Sequence, residues 1–158
     1  MPGRFPMPGR LPMPDGRSIA LATLVVPDYD AAIAFYVGAL GFALRADEPL
    51  ERGPDPKRWV VVAPPGEAVG GRPDERGTGL LLARADDERQ RARIGDQTGG
   101  RVALFLATDD FARDHARMMQ AGVRFEEAPR REPYGTVAVW RDPFGNRWDL
   151  VEWRRPGP

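Results

Sequence analysis

The sequence predicts an α+β fold in which one strand–helix–three-strand unit occurs twice. Ile19 to Val26 (IALATLVV) and Val102 to Ala107 (VALFLA) are short, almost wholly apolar runs, the pattern of strands buried on both faces. Each precedes an amphipathic stretch that starts at aspartate and ends at glycine, Asp28 to Gly41 and Asp109 to Gly122, both spanning thirteen positions. Three strand-like segments follow each stretch, so the whole order recurs at an offset near 81 residues. Self-similarity at a fixed offset marks a duplicated architecture.

The elements can be justified in order. Pro27 ends the first strand and Asp28 is a good N-cap. Ile33, Tyr36, Val37 and Leu40 then recur at helical spacing, and Gly41 sits where a C-terminal cap belongs. Phe42 to Arg45, Arg58 to Ala63 and Gly79 to Ala83 complete the first unit. In the second, TDDFARDHARMMQAG gives the helix, and Val123 to Glu127, Thr136 to Trp140 and Arg147 to Glu152 give the strands. RDPFGNRW is a hairpin turn, with Pro143 setting its entry and Gly145 free to take positive φ. The equivalent place in the first unit, 63–79, is a Gly/Pro/charge-rich loop too long for a hairpin. The predicted organisation is a Pro-rich tail over 1–17 and one domain over 18–153. That domain comprises modules 18–83 and 101–153 with linker 84–100, and a short tail 154–158 follows. The linker's charged stretch, Asp86 to Arg93, reads as a short helix or a solvated segment.

Composition excludes several functions. The 23 basic and 23 acidic residues cancel, so the broad positive footprint of a nucleic-acid or anionic-membrane binder is absent. With no cysteine and a single histidine, thiolate sites, Fe–S clusters and His-rich centres are excluded within one chain. No run approaches the roughly 20 apolar residues of a membrane span, and MPGRFP-MPGRLP-MPDGRS has no apolar signal region. The expectation is a soluble, cytoplasmic protein with neither nucleic-acid nor membrane partners. The PxxP spacing of the tail could serve a partner, but the hexapeptide repeat produces that spacing by itself.

LVVPDYDAAIAFYVGALGF resembles the first module of the vicinal oxygen chelate superfamily of glyoxalases, bleomycin-resistance proteins and extradiol dioxygenases. The usual wording there is V-x-D-x-x-x-A-x-x-F-Y-x-x-x-L-G-F. RDPFGNRWDLVE is similar to that family's closing hairpin, D-P-x-G-N-x-x-E/D-L. The resemblance covers Ser18 to Trp153. It implies two βαβββ modules forming a curved, cup-shaped mixed sheet with helices outside. It also implies a homodimer, and a divalent metal held in the cup by one residue from each of four strands, acting as a Lewis acid.

Carried over position by position, those ligands are mostly missing. The first-strand position is Leu21 and the fifth-strand position is Ala103 or Val102. The fourth strand offers nothing better than Thr78, and only Asp149, in the last strand, is a competent donor. A catalytic divalent ion needs about three protein ligands. No metal or other cofactor is therefore expected, and no catalytic residue can be named. The resemblance implies that the Asp149 face is the cup, and strand alternation then puts Leu21, Thr23 and Val25, Ala103, Phe105 and Ala107, and Arg147, Asp149 and Val151 on that face. The expected site is thus a ligand-binding cup of Leu21, Thr23, Ala103, Phe105, Arg147 and Asp149, apolar with one Arg and one Asp. Two outcomes are open for that pair: they orient a ligand, or they pair with each other in a filled pocket. The functional expectation is a small-molecule-binding protein with a degenerate metal site. The alternative is a metal-dependent lyase, isomerase or dioxygenase of the same superfamily. His115, near the apolar stripe of the second helix, reads as a packing or surface residue rather than a ligand or general base, and the helix-starting aspartates read as caps.

Overall fold

The computed structural model describes residues 19–51, 53–66 and 77–155. The expectations for the tail 1–17, for the centre of the 63–79 loop and for the last residues lie outside the described residues.

The chain runs β1 (Leu21–Val26), a two-part helix, β2 (Ala43–Leu50), β3 (Lys57–Ala63) and β4 (Gly79–Arg84). The second module runs β5 (Leu104–Ala107), α3 (Phe111–Gln120), β6 (Arg124–Phe125), β7 (Arg130–Glu132), β8 (Gly135–Arg141) and β9 (Arg147–Trp153). The two-part helix is α1 (Tyr29–Ile33) followed by a π-helical segment, Ala34–Ala39. Between the modules lies α2 (Glu88–Arg91), capped by Asp87. Each module folds into its own mixed sheet, ordered β1-β4-β3-β2 and β5-β9-β8-β6, with β7 also pairing β8. In both, the first strand pairs parallel with the last and the other pairings are antiparallel. This is the duplicated architecture that the repeat predicts.

Local differences have physical reasons. β2 continues past Arg45 through ADEPL because it is an edge strand, where polar side chains and Pro49 are tolerated. Arg58 on β3 clamps it with two bonds to Asp47, 2.9 and 2.7 Å. The expected strand Val123 to Glu127 is cut to two residues. Pro129, which has no N–H, separates it from the unforeseen β7. The two helices are also unequal. Asp28 caps the first, accepting from the Ala31 N–H at 2.7 Å, but the second cap is Asp110, not Asp109. The first helix is therefore one residue longer from cap to glycine. Its π-turn, in which the Leu40 N–H donates to the Phe35 carbonyl five residues back, absorbs the extra residue.

One core joins the modules. Leu24, Val26, Val60, Val62, Leu80 and Leu82 of the first sheet share a cluster with Ala138, Trp140, Trp148 and Leu150 of the second, with helix residues Ala32, Tyr36, Phe111 and Met118 between. The π-helical segment lies at the seam. Phe35 packs on Trp140 and Tyr36 on Trp148, with ring centroids 6.2 and 5.9 Å apart. The linker is tied down as well. The Gln97 amide bonds both the N–H and the carbonyl of Val25 (3.3 and 2.9 Å), imitating a neighbouring strand on the outer side of β1.

Candidate functional site

Alternation along β9 sorts its side chains onto two surfaces. Trp148 and Leu150 join the helix-side core, whereas Asp149 and Val151 face the other way. Register extends that second surface. Asp149 stands opposite Phe105 on β5 and Val139 on β8, and Val151 stands opposite Ala107 and Val137. The result is a floor of Val137, Val139 and Val151 with one carboxylate in it.

Asp149 is only 6% exposed. Its Oδ1 is among the buried side-chain atoms without a hydrogen-bond partner. Trp140, Asn146 and Trp148 share that property, but the tryptophans lie in the helix-side core and Asn146 in the β8–β9 turn. A buried polar atom left unmatched costs about 1–3 kcal/mol, more when charged. The burial pushes the Asp149 carboxyl above the ordinary carboxylate range. Arg130 and Arg147 oppose that rise and Glu127 adds to it.

A cavity of about 390 Å³ opens beside this carboxylate, lined by Gly100, Arg101, Val102, Phe105, Arg147 and Asp149. Phe105 is 61% exposed there, an unusual position for a phenylalanine. Arg147 is committed elsewhere. It bonds Glu126 (2.9 Å) and the Gly100 carbonyl (2.9 Å), and no hydrogen bond or ion pair joins it to Asp149. The self-paired alternative is thereby corrected: Glu126, on the neighbouring β6–β7 stretch, outcompetes the residue two positions along β9. Glu126 also takes Arg141. Arg130 is held in turn by Glu127 at 3.0 Å and by Glu132, and Glu127 accepts the Val139 N–H at 3.0 Å.

Of the sequence-predicted cup, the structure brings together Phe105, Arg147 and Asp149. Ala103 lines a smaller neighbouring cavity of about 120 Å³ and donates its N–H to the Arg147 carbonyl. Leu21 and Thr23 sit on the first sheet and do not line the Asp149 cavity. Sequence reasoning missed Arg101, Glu126, Glu127 and Arg130. For Glu126, Glu127 and Arg130 the only signal is the charge-dense run RFEEAPRREP, which strand pairing was needed to aim, and Arg101 carries no signal of its own. His115 stacks between Phe111 and Phe125 (centroids 5.4 and 4.3 Å), the packing role expected. A larger cavity, about 550 Å³, lies at the seam among Leu40, Phe42, Leu106 and Met118. Part of its charged rim is self-paired, with Arg113 holding Asp109 and Asp114 at 2.7 and 2.9 Å.

The Glyoxalase/Bleomycin resistance protein/Dioxygenase superfamily profile matches residues 18–150, and the chain belongs to that superfamily. It is 49% identical over 136 residues, 86% of this chain and 93% of the other, to an uncharacterized protein of Shewanella frigidimarina. Among solved structures it is similar to UcmS2 (TM-score 0.68, 30% identity, covering 86% of this chain and 98% of that one). It is also similar to TnmS3, an antibiotic-binding protein from Streptomyces sp. CB03234 (TM-score 0.65, 30% identity, covering 90% and 100%).

At the positions that the resemblance carries over for a divalent ion, donors are scarce. Leu21 and Ala103 carry no donor, and the Thr78 hydroxyl donates to the Ile19 carbonyl at 2.8 Å. Among the described residues, no group of three or more histidine, aspartate or glutamate side chains could hold a metal.

Proposed function

We propose that this protein binds a small organic molecule at the Asp149 surface of its second module and does so without a metal. The observation that carries the reading is the Asp149 carboxylate, buried beside valines, whose Oδ1 has no donor among the described residues. A ligand O–H or N–H would supply that donor and recover the cost of burying it. The cavity has the size of a small-molecule site, and its lining sets apolar Val102 and Phe105 beside the charged Arg101, Arg147 and Asp149. The similarity to an antibiotic-binding protein supports the same class of activity. Phe105 and Asp149 would touch the ligand and Arg147 would shape the rim.

A homodimer belongs to this reading. β1 and β5 are outermost strands of their sheets, and such edges need covering. Leu21 and Thr23 could then contribute to a cup only from a partner copy's first sheet. Among the described residues no helix is long and apolar enough to cross a membrane. The cytoplasmic location expected from composition is part of the proposal and can be checked by fractionation.

The test is native mass spectrometry of gently purified protein and of Asp149→Asn. The reading expects an organic mass retained by the wild type and depleted in the variant. Equal retention by both would refute it.

A further inference from the structure

Resting on the binding site just proposed, the chemistry around its cavity restricts what can occupy it. Three groups face the cavity without a partner of their own. The first is the Asp149 carboxylate, which lines the cavity and whose buried Oδ1 has no hydrogen-bond partner among the described residues. The second is the Phe105 ring, set directly across the β5–β9 pairing from Asp149 and largely uncovered. The third is Arg101. Its guanidinium makes no ion pair or hydrogen bond among the described residues, and only its backbone carbonyl is engaged, by Thr98. The other charged groups of this surface are ion-paired, Arg147 and Arg141 with Glu126, and Arg130 with Glu127 and Glu132.

Each unmatched group asks for one feature. An acceptor buried at the floor asks for a hydrogen-bond donor. An uncovered ring on a strand asks for a flat apolar face, since stacked rings gain from contact beyond area alone. An unpaired arginine at the wall asks for an anion, above all a planar carboxylate that matches its fork. We infer that the ligand is a planar aromatic acid, one end carrying a hydroxyl or N–H donated to Asp149, the ring against Phe105, and the acidic group against Arg101.

The probe is 6-hydroxy-2-naphthoate, whose donor and acid lie at opposite ends of a flat bicycle. Its affinity for the full-length protein is compared by calorimetry with 2-naphthoate, which lacks the donor, and 2-naphthol, which lacks the acid. The expected result is that each deletion weakens binding by about tenfold, the value of one hydrogen bond to a charged or buried partner. Arg101→Ala should erase the advantage over 2-naphthol, and Asp149→Asn the advantage over 2-naphthoate. Arg101 is exposed, so its variant tests the inference without endangering the fold. Should 2-naphthol bind as tightly as the hydroxy acid and lose affinity in Asp149→Asn, the binding site stands and the anionic class is wrong. Should none of the three bind, or should both variants match the wild type, the inference is overturned. Native mass spectrometry of Asp149→Asn then decides separately whether the site itself survives.

Discussion

The Tyr36 hydroxyl donates a 2.6 Å hydrogen bond to Asp142 Oδ2, joining the helix of the first module to the closing hairpin of the second across 106 positions of chain. Asp142 is buried and already accepts from the Phe144 and Asn146 N–H groups (2.9 Å each) and from Asn146 Nδ2 (2.7 Å). The two sequence motifs that carry the family resemblance therefore meet in one bond.

Tyr36→Phe keeps the aromatic packing and removes only that bond. We expect a loss of about 1.5–3 kcal/mol, appropriate to a hydrogen bond to a charged group, with m unchanged in urea unfolding. Burial, and next the Asp142 charge, push the Tyr36 hydroxyl far above its usual range. A folded pKa raised above the unfolded one gives stability that is full below about pH 10 and lost as pH rises beyond it. An ultraviolet titration should thus show Tyr36 ionising only with unfolding. A normal tyrosinate step in the folded protein would contradict this.

Gly135→Ala and Gly95→Ala should each destabilise the fold. Gly135 has φ +156° and an added Cβ would stand 2.1 Å from the Glu152 carbonyl oxygen; Gly95 has φ +75° and its Cβ would stand 2.5 Å from that of Phe144. Both substitutions force backbone to move, at a cost of about 1–3 kcal/mol or more. Thermal unfolding checks this, with Gly38→Ala, which meets nothing within 4 Å, as the tolerated comparison.

Asp149→Asn should leave stability unchanged or raise it, because it replaces a buried, unmatched carboxylate by a neutral amide. The sign follows from the raised folded pKa. Wild-type stability is helped by the proton at low pH and loses that help as pH rises through the folded value. The advantage of the variant should therefore grow between about pH 4 and 7. A variant that grew relatively less stable over that window would contradict this account of Asp149.

His115→Ala removes a ring packed between Phe111 and Phe125 and should cost about 1–2 kcal/mol by lost packing. Ligand affinity should not change. A change in affinity at constant stability would give His115 a role that its position does not suggest.

Element order was legible because apolar periodicity and the aspartate and glycine punctuation are local signals, and both modules carry them. The strand ends were less so. The polar ADEPL of β2 looks like loop until Arg58 pairs with Asp47, and β7 lies in a charged stretch without alternation. Within the site, alternation along β9 and β5, with the cup face taken from the resemblance, placed Asp149 and Phe105 on one face, but it could not show how deeply the carboxylate is buried. That burial depends on Val137, Val139 and Val151 from two strands. The partner of Arg147 was out of reach for the same reason, since Glu126 is 21 positions away and is brought near only by the sheet.

The central claim, binding at Asp149 without a metal, is tested most directly by elemental analysis of undenatured protein together with ligand titration after exhaustive chelation. The account predicts less than a stoichiometric amount of any divalent metal, an affinity unaltered by chelation, and a marked loss of affinity in Asp149→Asn. Stoichiometric zinc, nickel, iron or manganese, with binding abolished by chelation and restored by that ion, would contradict it.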